Sequence, residues 1–347
     1  MFASPALLFC RYLALAILVG VALHPASSLA WGYKGHRVVG SIADQMLTDN
    51  ARQQVAQILG FDLKTAGPWL DCVKSVARQN DGSFVYTTDA NHPEYETPCT
   101  QFRTATEQPR MEDYVARNWS QCSYRSSNVE RGCHNTYHFD DVAIQRDRFD
   151  RNFQGTNDHD LVAATNATIA VLLGRPSPPP FSIKDKKEAL FVLSHLMGDL
   201  HQPLHVGSVY LDEAGSLVDP DVTHTIDPAT ETTGGNSILE NHNNFHGEWD
   251  AIPGDLGEAM TPELLAIAKA VPTDHGRIEN WPVAWATDTV LAAQEVFSGA
   301  NFARSGRRWT VTYGDRDAYL RQVDTMKRRQ LAKAGARLAA LLNAVWP

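Results

Sequence analysis

The sequence predicts a mainly α-helical single domain, and three observations carry that expectation. Beyond residue 36, apolar residues recur mostly at helical rather than alternating spacing. No linker, internal repeat or low-complexity stretch divides the chain. With 347 residues and 43% hydrophobic content it has enough apolar sequence for one large core.

Residues 1–30 stand apart from that domain. Arg11 precedes the apolar run Tyr12 to Leu23, and Ser28-Leu29-Ala30 is a small-x-small cleavage signal. This pattern reads as a secretory signal peptide, cut between Ala30 and Trp31, which leaves 31–347 as the working domain. The apolar run is too short to span a bilayer with ease, and no later stretch approaches it. The mature chain is therefore expected to be secreted or periplasmic, monomeric and without stable membrane association. Cys10 leaves with the signal, and Cys72, Cys99, Cys122 and Cys133 remain. Four cysteines in an exported chain allow three pairings. Short loops close at lower entropy cost, which favours Cys72–Cys99 and Cys122–Cys133.

In chain order, Val38, Val39, Ile42 and Met46 mark a helix over 36–47, and Val55, Ile58 and Leu59 a second over 49–59, stopped by Gly60. Pro68 opens a helix expected to reach Ala77. Residues 80–110 read as a long disulfide-held loop, 111–119 as a short helix, and 134–141 as extended or irregular. A helix over 158–173 ends at Gly174. A Pro-rich connector follows, and Ser182 is expected to cap the next helix. Residues 211–233 are acidic and Thr-rich and read as a surface insertion between short strands at 206–211 and 236–240. Helices are expected at 242–251, 260–270, 281–297 and 315–344. The last carries Leu320, Val323, Leu331, Ala334, Leu338, Leu341 and Leu342 on one stripe.

The stretch 191–207 places His195, Asp199, His201 and His205 within an apolar run. Buried polar groups must be paired or bound to metal. His195 and Asp199 are four apart and share a helix face; Pro203 ends the helix and turns His205 back from another direction. Asn244-Phe245-His246-Gly247-Glu248-Trp249-Asp250 holds a second pair at that spacing, His246 and Asp250. Each pair alone has a plain alternative, a local helix salt bridge. Together they suggest zinc, whose usual ligands outside cysteine sites are imidazoles and carboxylates. The new N-terminus, Trp31-Gly32-Tyr33-Lys34-Gly35-His36, offers an amino group, a carbonyl and an imidazole. The formal net charge of −9 argues against a general basic face for nucleic acid.

The ordered set Trp31, His36, Asp71, His138, His195, Asp199, His205, His246 and Asp250, with the motif Gly198-Asp199-x-His201-Gln202-Pro203-Leu204-His205, resembles the trinuclear zinc nucleases of the nuclease S-one/P-one type. The resemblance runs from Trp31 to the Ala334-Gly335-x-Arg337 stretch. It implies a phospholipase C/nuclease P-one-like helical fold with a small β-hairpin, and three zinc ions. One ion would be held by Asp71, His138, His195 and Asp199. A neighbour would be held by the Trp31 amino nitrogen and carbonyl oxygen, His36 and the shared Asp199. The third, more open, would be held by His205, His246 and Asp250. Three Zn²⁺ bring six charges and the three carboxylates cancel half, so an acidic chain can still hold a phosphate.

The activity so implied is endonucleolytic hydrolysis of single-stranded RNA and DNA to 5′-phosphate products, with 3′-nucleotidase activity. A zinc-bridging hydroxide would attack phosphorus in line, with Asp71, Lys74 and Asp199 as catalytic residues. Lys74, one turn after Asp71, stands where the family often has a phosphate-binding arginine; the alternative is a solvated lysine. Phe139 and Asp141 match base-binding residues, stacking on a base and accepting from its N–H groups. Core packing is the alternative for Phe139. Asp140 stands where the family usually has an apolar residue. Gly235 and Asn236, in Gly234-Gly235-Asn236, match a cleft-lining motif. His201 is expected to orient a ligand. The rival is a zinc-dependent phospholipase C acting on phospholipid head groups, similar in fold and metal set, which Phe139, Asp141 and the Gly-Gly-Asn motif disfavour.

Overall fold

The computed structural model describes residues 31–88, 96–120, 122 and 132–347. The expected signal peptide, 1–30, and part of the expected 80–110 loop lie outside the described residues. Twelve α-helices occur among the described residues: α1 Gly32–Met46, α2 Asp49–Leu59, α3 Leu63–Ala66, α4 Trp69–Cys72, α5 Glu107–Arg117, α6 Leu161–Leu172, α7 Lys186–Asp199, α8 Pro220–Thr223, α9 Phe245–Asp250, α10 Pro262–Lys269, α11 Trp281–Val296 and α12 Arg316–Val345. Ten short strands are interspersed: β1 Val76–Arg78, β2 Phe84–Tyr86, β3 Val142–Ala143, β4 Gly207–Ser208, β5 Tyr210–Leu211, β6 Leu217–Val218, β7 Ile238–Glu240, β8 Asn243–Asn244, β9 Ala300–Ser305 and β10 Arg308–Tyr313. The fold is mainly α, as expected.

Helix α7 is the axis of the molecule. Every residue from Glu188 to Asp199 is buried, so the helix is apolar on all sides except where its own chemistry sits. It packs against α1, α2, α3, α4, α6 and α12. The cap is Asp185, whose side chain accepts from Glu188 N, and not the expected Ser182. Ser182 is instead held by Arg117 and Asn118. A carboxylate also suits the positive end of the helix dipole.

Close backbone approach brings α1 onto α7. A Cβ at Gly198 would lie 2.7 Å from His36 Nδ1, so only glycine lets the imidazole reach the C-terminal end of α7. The helix expected over 68–77 stops at Cys72. One 3₁₀ turn, Val73–Ser75, follows, and the chain then runs into the β1–β2 hairpin, with Arg78 opposite Phe84. The β-branched Val76 and Val85 with Phe84 and Tyr86 favour strand over helix. The disulfides are Cys72–Cys99 and Cys122–Cys133, the short-loop pairing.

A second, smaller core gathers Leu204, Phe245, Trp249, Val296, Trp309 and Val311. It is roofed by the four-stranded sheet β8-β7-β10-β9, in which β10 pairs parallel with β7 and antiparallel with β9. The expected strands at 206–211 and 236–240 do not pair with each other: β4 joins β3, β5 joins β6, and β7 joins β10 and β8. The helix expected from 242 begins at Phe245, because Asn241 and His242 have positive φ and Asn244 caps it by accepting from Gly247 N.

Candidate metal centre

Six segments deliver the predicted ligands to one buried cleft. His36 comes from α1, Asp71 from α4, His138 from the loop after a 3₁₀ turn at Cys133–Thr136, His195 and Asp199 from the last turns of α7, and His205 from the 3₁₀ turn after Pro203. Helix α9 supplies His246 and Asp250. All eight side chains are buried. Their donor atoms converge in three sets: His36, Asp71 and His195; His138, His195 and Asp199; and His205, His246 and Asp250. His195 is common to the first two, which form one continuous cluster. His36 Nε2 lies 3.5 Å from Asp199 Oδ1, and His138 Nδ1 lies 3.0 Å from Asp199 Oδ2 and 3.1 Å from His195 Nε2.

The hydrogen bonds fix the tautomers. His195 Nδ1 faces Gly67 O at 2.9 Å, His205 Nδ1 faces His138 O at 2.6 Å, and His246 Nδ1 faces Gly234 O at 2.6 Å. A carbonyl only accepts, so each Nδ1 donates and, in the neutral ring, each Nε2 is a lone pair. Yet His205 Nε2 and His246 Nε2 are 3.1 Å apart, with Asp250 oxygens 3.7 and 3.5 Å away. Two lone pairs and a carboxylate at such spacing repel unless a cation sits among them. Tetrahedral zinc with bonds near 2.0–2.1 Å places its nitrogens ~3.3 Å apart. In addition, Asp71 Oδ2, Asp199 Oδ1 and His138 Nε2 are buried and make no hydrogen bond. The donor set, all imidazole and carboxylate, fits zinc.

Electrostatics prepare the same state. Burial raises Asp71, but Lys74 and His195 outweigh it and hold the carboxyl at about 2. Asp199 lies well below its ordinary value, its burial outweighed by His195, His205 and His138. Burial, reinforced by Lys74, lowers His138 to about 3. Burial also lowers His246, whereas Asp199 and Asp250 overcome burial to raise His205. Ionised carboxylates beside neutral His138 and His246 are what metal ligation requires, and at His205 a metal would displace a proton.

Trp31 is fully buried at the head of α1; its carbonyl accepts from Gly35 N at 3.1 Å. Lys74 Nζ donates to Asp71 Oδ1 at 2.7 Å. Phe139 and Asp141 are half-buried beside His138. The Asp141 carboxyl faces Glu231, Ser208, His205 and the Gly234 amide, and burial, with Glu231, lifts it to about 7. Asp140 is fully buried against Asp160, and that burial drives it well above the carboxylate range. As a neutral acid it occupies an apolar position without an unpaired charge. Of the glycine motif, Gly234 holds His246, Gly235 is buried near Phe245 and Leu204, and the Asn236 amide donates to Thr233 O.

The model of one family, described as S1/P1 Nuclease, matches residues 31–122 and 117–347. The chain belongs to the S1/P1 nuclease family. It is similar to three Arabidopsis thaliana proteins. Endonuclease 5 is 23% identical over 339 residues, covering 92% of this chain and 91% of that protein. Endonuclease 4 is 24% identical over 356 residues, covering 97% and 94%. Endonuclease 2 is 24% identical over 333 residues, covering 91% and 90%. Membership makes the chain a nuclease, a hydrolase of phosphodiester bonds with a nucleic-acid substrate. Among the described residues no helix is long and apolar enough to cross a membrane.

Within this family member, His201 does not orient a ligand. Its ring bonds to Met197 O at 2.8 Å and to Arg337 at 3.0 Å. The neighbouring Gln202 takes that place: its Nε2 donates to Asp250 Oδ1 at 2.7 Å and its Oε1 accepts from Leu204 N at 2.5 Å. Lys327 was also missed. Its Nζ donates to Glu248 O and Ala251 O, at 2.6 and 2.7 Å, and closes the C-terminal end of α9. The signal was there: Lys327 lies four residues from both Val323 and Leu331 on the apolar stripe of α12.

Proposed function

We propose that this nuclease is an exported, monomeric zinc-dependent endonuclease that hydrolyses single-stranded RNA and DNA to 5′-phosphate products and also acts as a 3′-nucleotidase. The observation that carries the reading is the convergence of eight buried imidazoles and carboxylates with lone pairs facing one another. In this reading residues 1–30 are removed and the freed Trp31 amino group, with its carbonyl and His36, completes a three-zinc set. When bound, the ions supply Lewis acidity for the phosphate and an acidified water. Asp71 and Asp199 hold the paired cluster, and His205, His246 and Asp250 the more open one. Lys74, pinned by Asp71, presents an ammonium toward a phosphate oxygen. Phe139 offers a ring face to an unpaired base, and Asp141, flanked by the Gly234 amide and Ser208, meets its polar edge. Gly235 and Asn236 line the same cleft.

Metal analysis of the mature protein, with hydrolysis of poly(A), single- and double-stranded DNA, 3′-AMP and phosphatidylcholine, tests the reading. Three zinc equivalents with cleavage of the single strands and of 3′-AMP are expected. Hydrolysis of phosphatidylcholine without cleavage of poly(A) would overturn it in favour of a phospholipase.

A further inference from the structure

Two buried polar side chains of α12, Tyr319 and Lys327, clasp the C-terminal half of α9. Tyr319 Oη accepts from Trp249 Nε1 at 3.2 Å. Lys327 lies against the same indole, with Nζ 5.5 Å from the ring centroid. Its Nζ donates to Glu248 O and Ala251 O, the carbonyls that flank Trp249 and Asp250. We infer that Lys327 is a positioning residue for the proposed third zinc. It acts through the backbone on either side of Asp250, and so sets the affinity of the His205, His246 and Asp250 site. The inference rests on the proposed zinc reading and deepens it.

Helix α9 needs such a clasp. It has six residues, and a helix that short does not hold itself in water. Its start is fixed twice: the Asn244 side chain accepts from Gly247 N, and His246 Nδ1 donates to Gly234 O. Its last carbonyls have no partner within the helix and must be held from outside. An ammonium there also has the right sign for the helix dipole. Lysine is seldom buried, yet Lys327 is only 8% exposed. Burial draws it down to about 8, against the pull of the Asp250 and Glu248 carboxylates. Satisfying two carbonyls does not by itself call for a buried charge. Glu248 and Ala251 are exposed, so water could serve them. What water cannot supply is a fixed position for the residue between them.

The effect belongs to one site. His36, Asp71, His138, His195 and Asp199 stand on segments other than α9, so a shift of α9 leaves them in place. Helix α12 is itself anchored away from Lys327. It packs against α1, α7 and α10, and Gln330 Nε2 donates to His201 O at 3.0 Å. Loss of the Lys327 ammonium therefore frees the end of α9 without releasing α12.

The test titrates the metal-stripped wild type, K327M, K327R and Y319F with zinc against a competing chelator, with thermal denaturation alongside. In K327M the third zinc is expected to bind about tenfold more weakly, the low end of what a group behind a ligand is worth. The His36, Asp71, His138, His195 and Asp199 cluster should load as in the wild type. K327R keeps the charge and the donors and should recover most of the loss. Y319F opens the other half of the clasp and should weaken the same zinc less strongly. It carries the comparison if K327M does not fold. A third zinc of unchanged affinity in K327M, or in Y319F where K327M does not fold, overturns the inference. So does equal weakening of all three zincs, which would mark a general loss of stability. A wild type that never binds a third zinc overturns the zinc reading itself.

Discussion

Gln202 offers the sharpest separation of structure from chemistry, because it touches both a proposed ligand and the backbone that carries another. Substituting Gln202→Met keeps the volume and removes both polar contacts. The buried Leu204 N–H then has no acceptor in the side chain, which costs about 1–3 kcal/mol, and the charged Asp250 loses a donor worth about 1.5–3 kcal/mol. Taken near the middle, the sum is about 4 kcal/mol. Unfolding entropy of ~2.1 cal/mol/K per residue gives roughly 0.7 kcal/mol/K for a chain of about 317 residues, so Tm should fall by about 6 °C. Asp250 also loses its orientation toward His205 and His246. Partners behind a metal ligand are typically worth 10–100-fold in affinity. The expected result is a third zinc weakened by that factor, with the His36, Asp71, His138, His195 and Asp199 cluster still loaded. Titration of the metal-stripped protein with zinc against a competing chelator, alongside thermal denaturation, measures both. Three zincs of unchanged affinity would refute the argument even if Tm fell, since the hydrogen bond would then be structural only.

Asp199→Asn should release more than one equivalent of metal, because Asp199 lies within 3.5 Å of His36, His138 and His195; elemental analysis showing a single lost ion would contradict a shared ligand. His134 is buried, and burial together with Lys74 lowers it to about 4. Its contribution to stability is thus fully present above the unfolded value near 6.5 and lost as pH falls toward 4, by about 3 kcal/mol. His134→Gln should flatten urea-measured stability between those pH values. Removing Cys72–Cys99, whose ends are 27 positions apart in sequence, should cost about 3–4 kcal/mol. Because Cys72 adjoins Asp71, metal affinity should drop with it, as seen in denaturation and zinc titration of the double alanine variant. Retaining Ala30 before Trp31 should abolish most activity and one zinc equivalent, and full activity with three zincs would exclude the amino group as a ligand.

Helical periodicity made α1, α2, α6, α7, α11 and α12 legible, since α1, α2, α6 and α12 bury a stripe against α7, α11 buries one against α6, and α7 is buried on every face. What it missed depends on contacts distant in sequence. Arg308-Trp309-Thr310-Val311-Thr312-Tyr313 alternates, with Trp309 and Val311 buried, and Gly306 turns the chain at φ 62°. That hairpin was readable by period two, but its partner β7 is about seventy residues away, and a parallel pairing leaves no local trace. The 68–77 helix failed for a related reason: Pro68 starts it well, yet Val76 and Ala77 pair with Tyr86 and Val85 in a hairpin that no single stretch reveals.

The proposed metal ligands stand out in the sequence for the opposite reason. Carboxylates and histidines four apart on an apolar helix face are costly unless bound, so the sequence exposes them wherever they lie. Their supports were less visible, because a support is defined by what it touches. His201 and Gln202 are adjacent in one motif, and residue type alone favoured the histidine. The turn at Pro203 decides otherwise: it swings residue 202 toward α9 and leaves His201 pointing at α12, where Arg337 meets it. Lys327 follows the same logic from the other side. A lone charge on an apolar stripe needs an acceptor, and the open carbonyl end of a six-residue helix supplies two. A polar interruption in an otherwise apolar stripe thus points to the element across from it, and here that element carries His246 and Asp250.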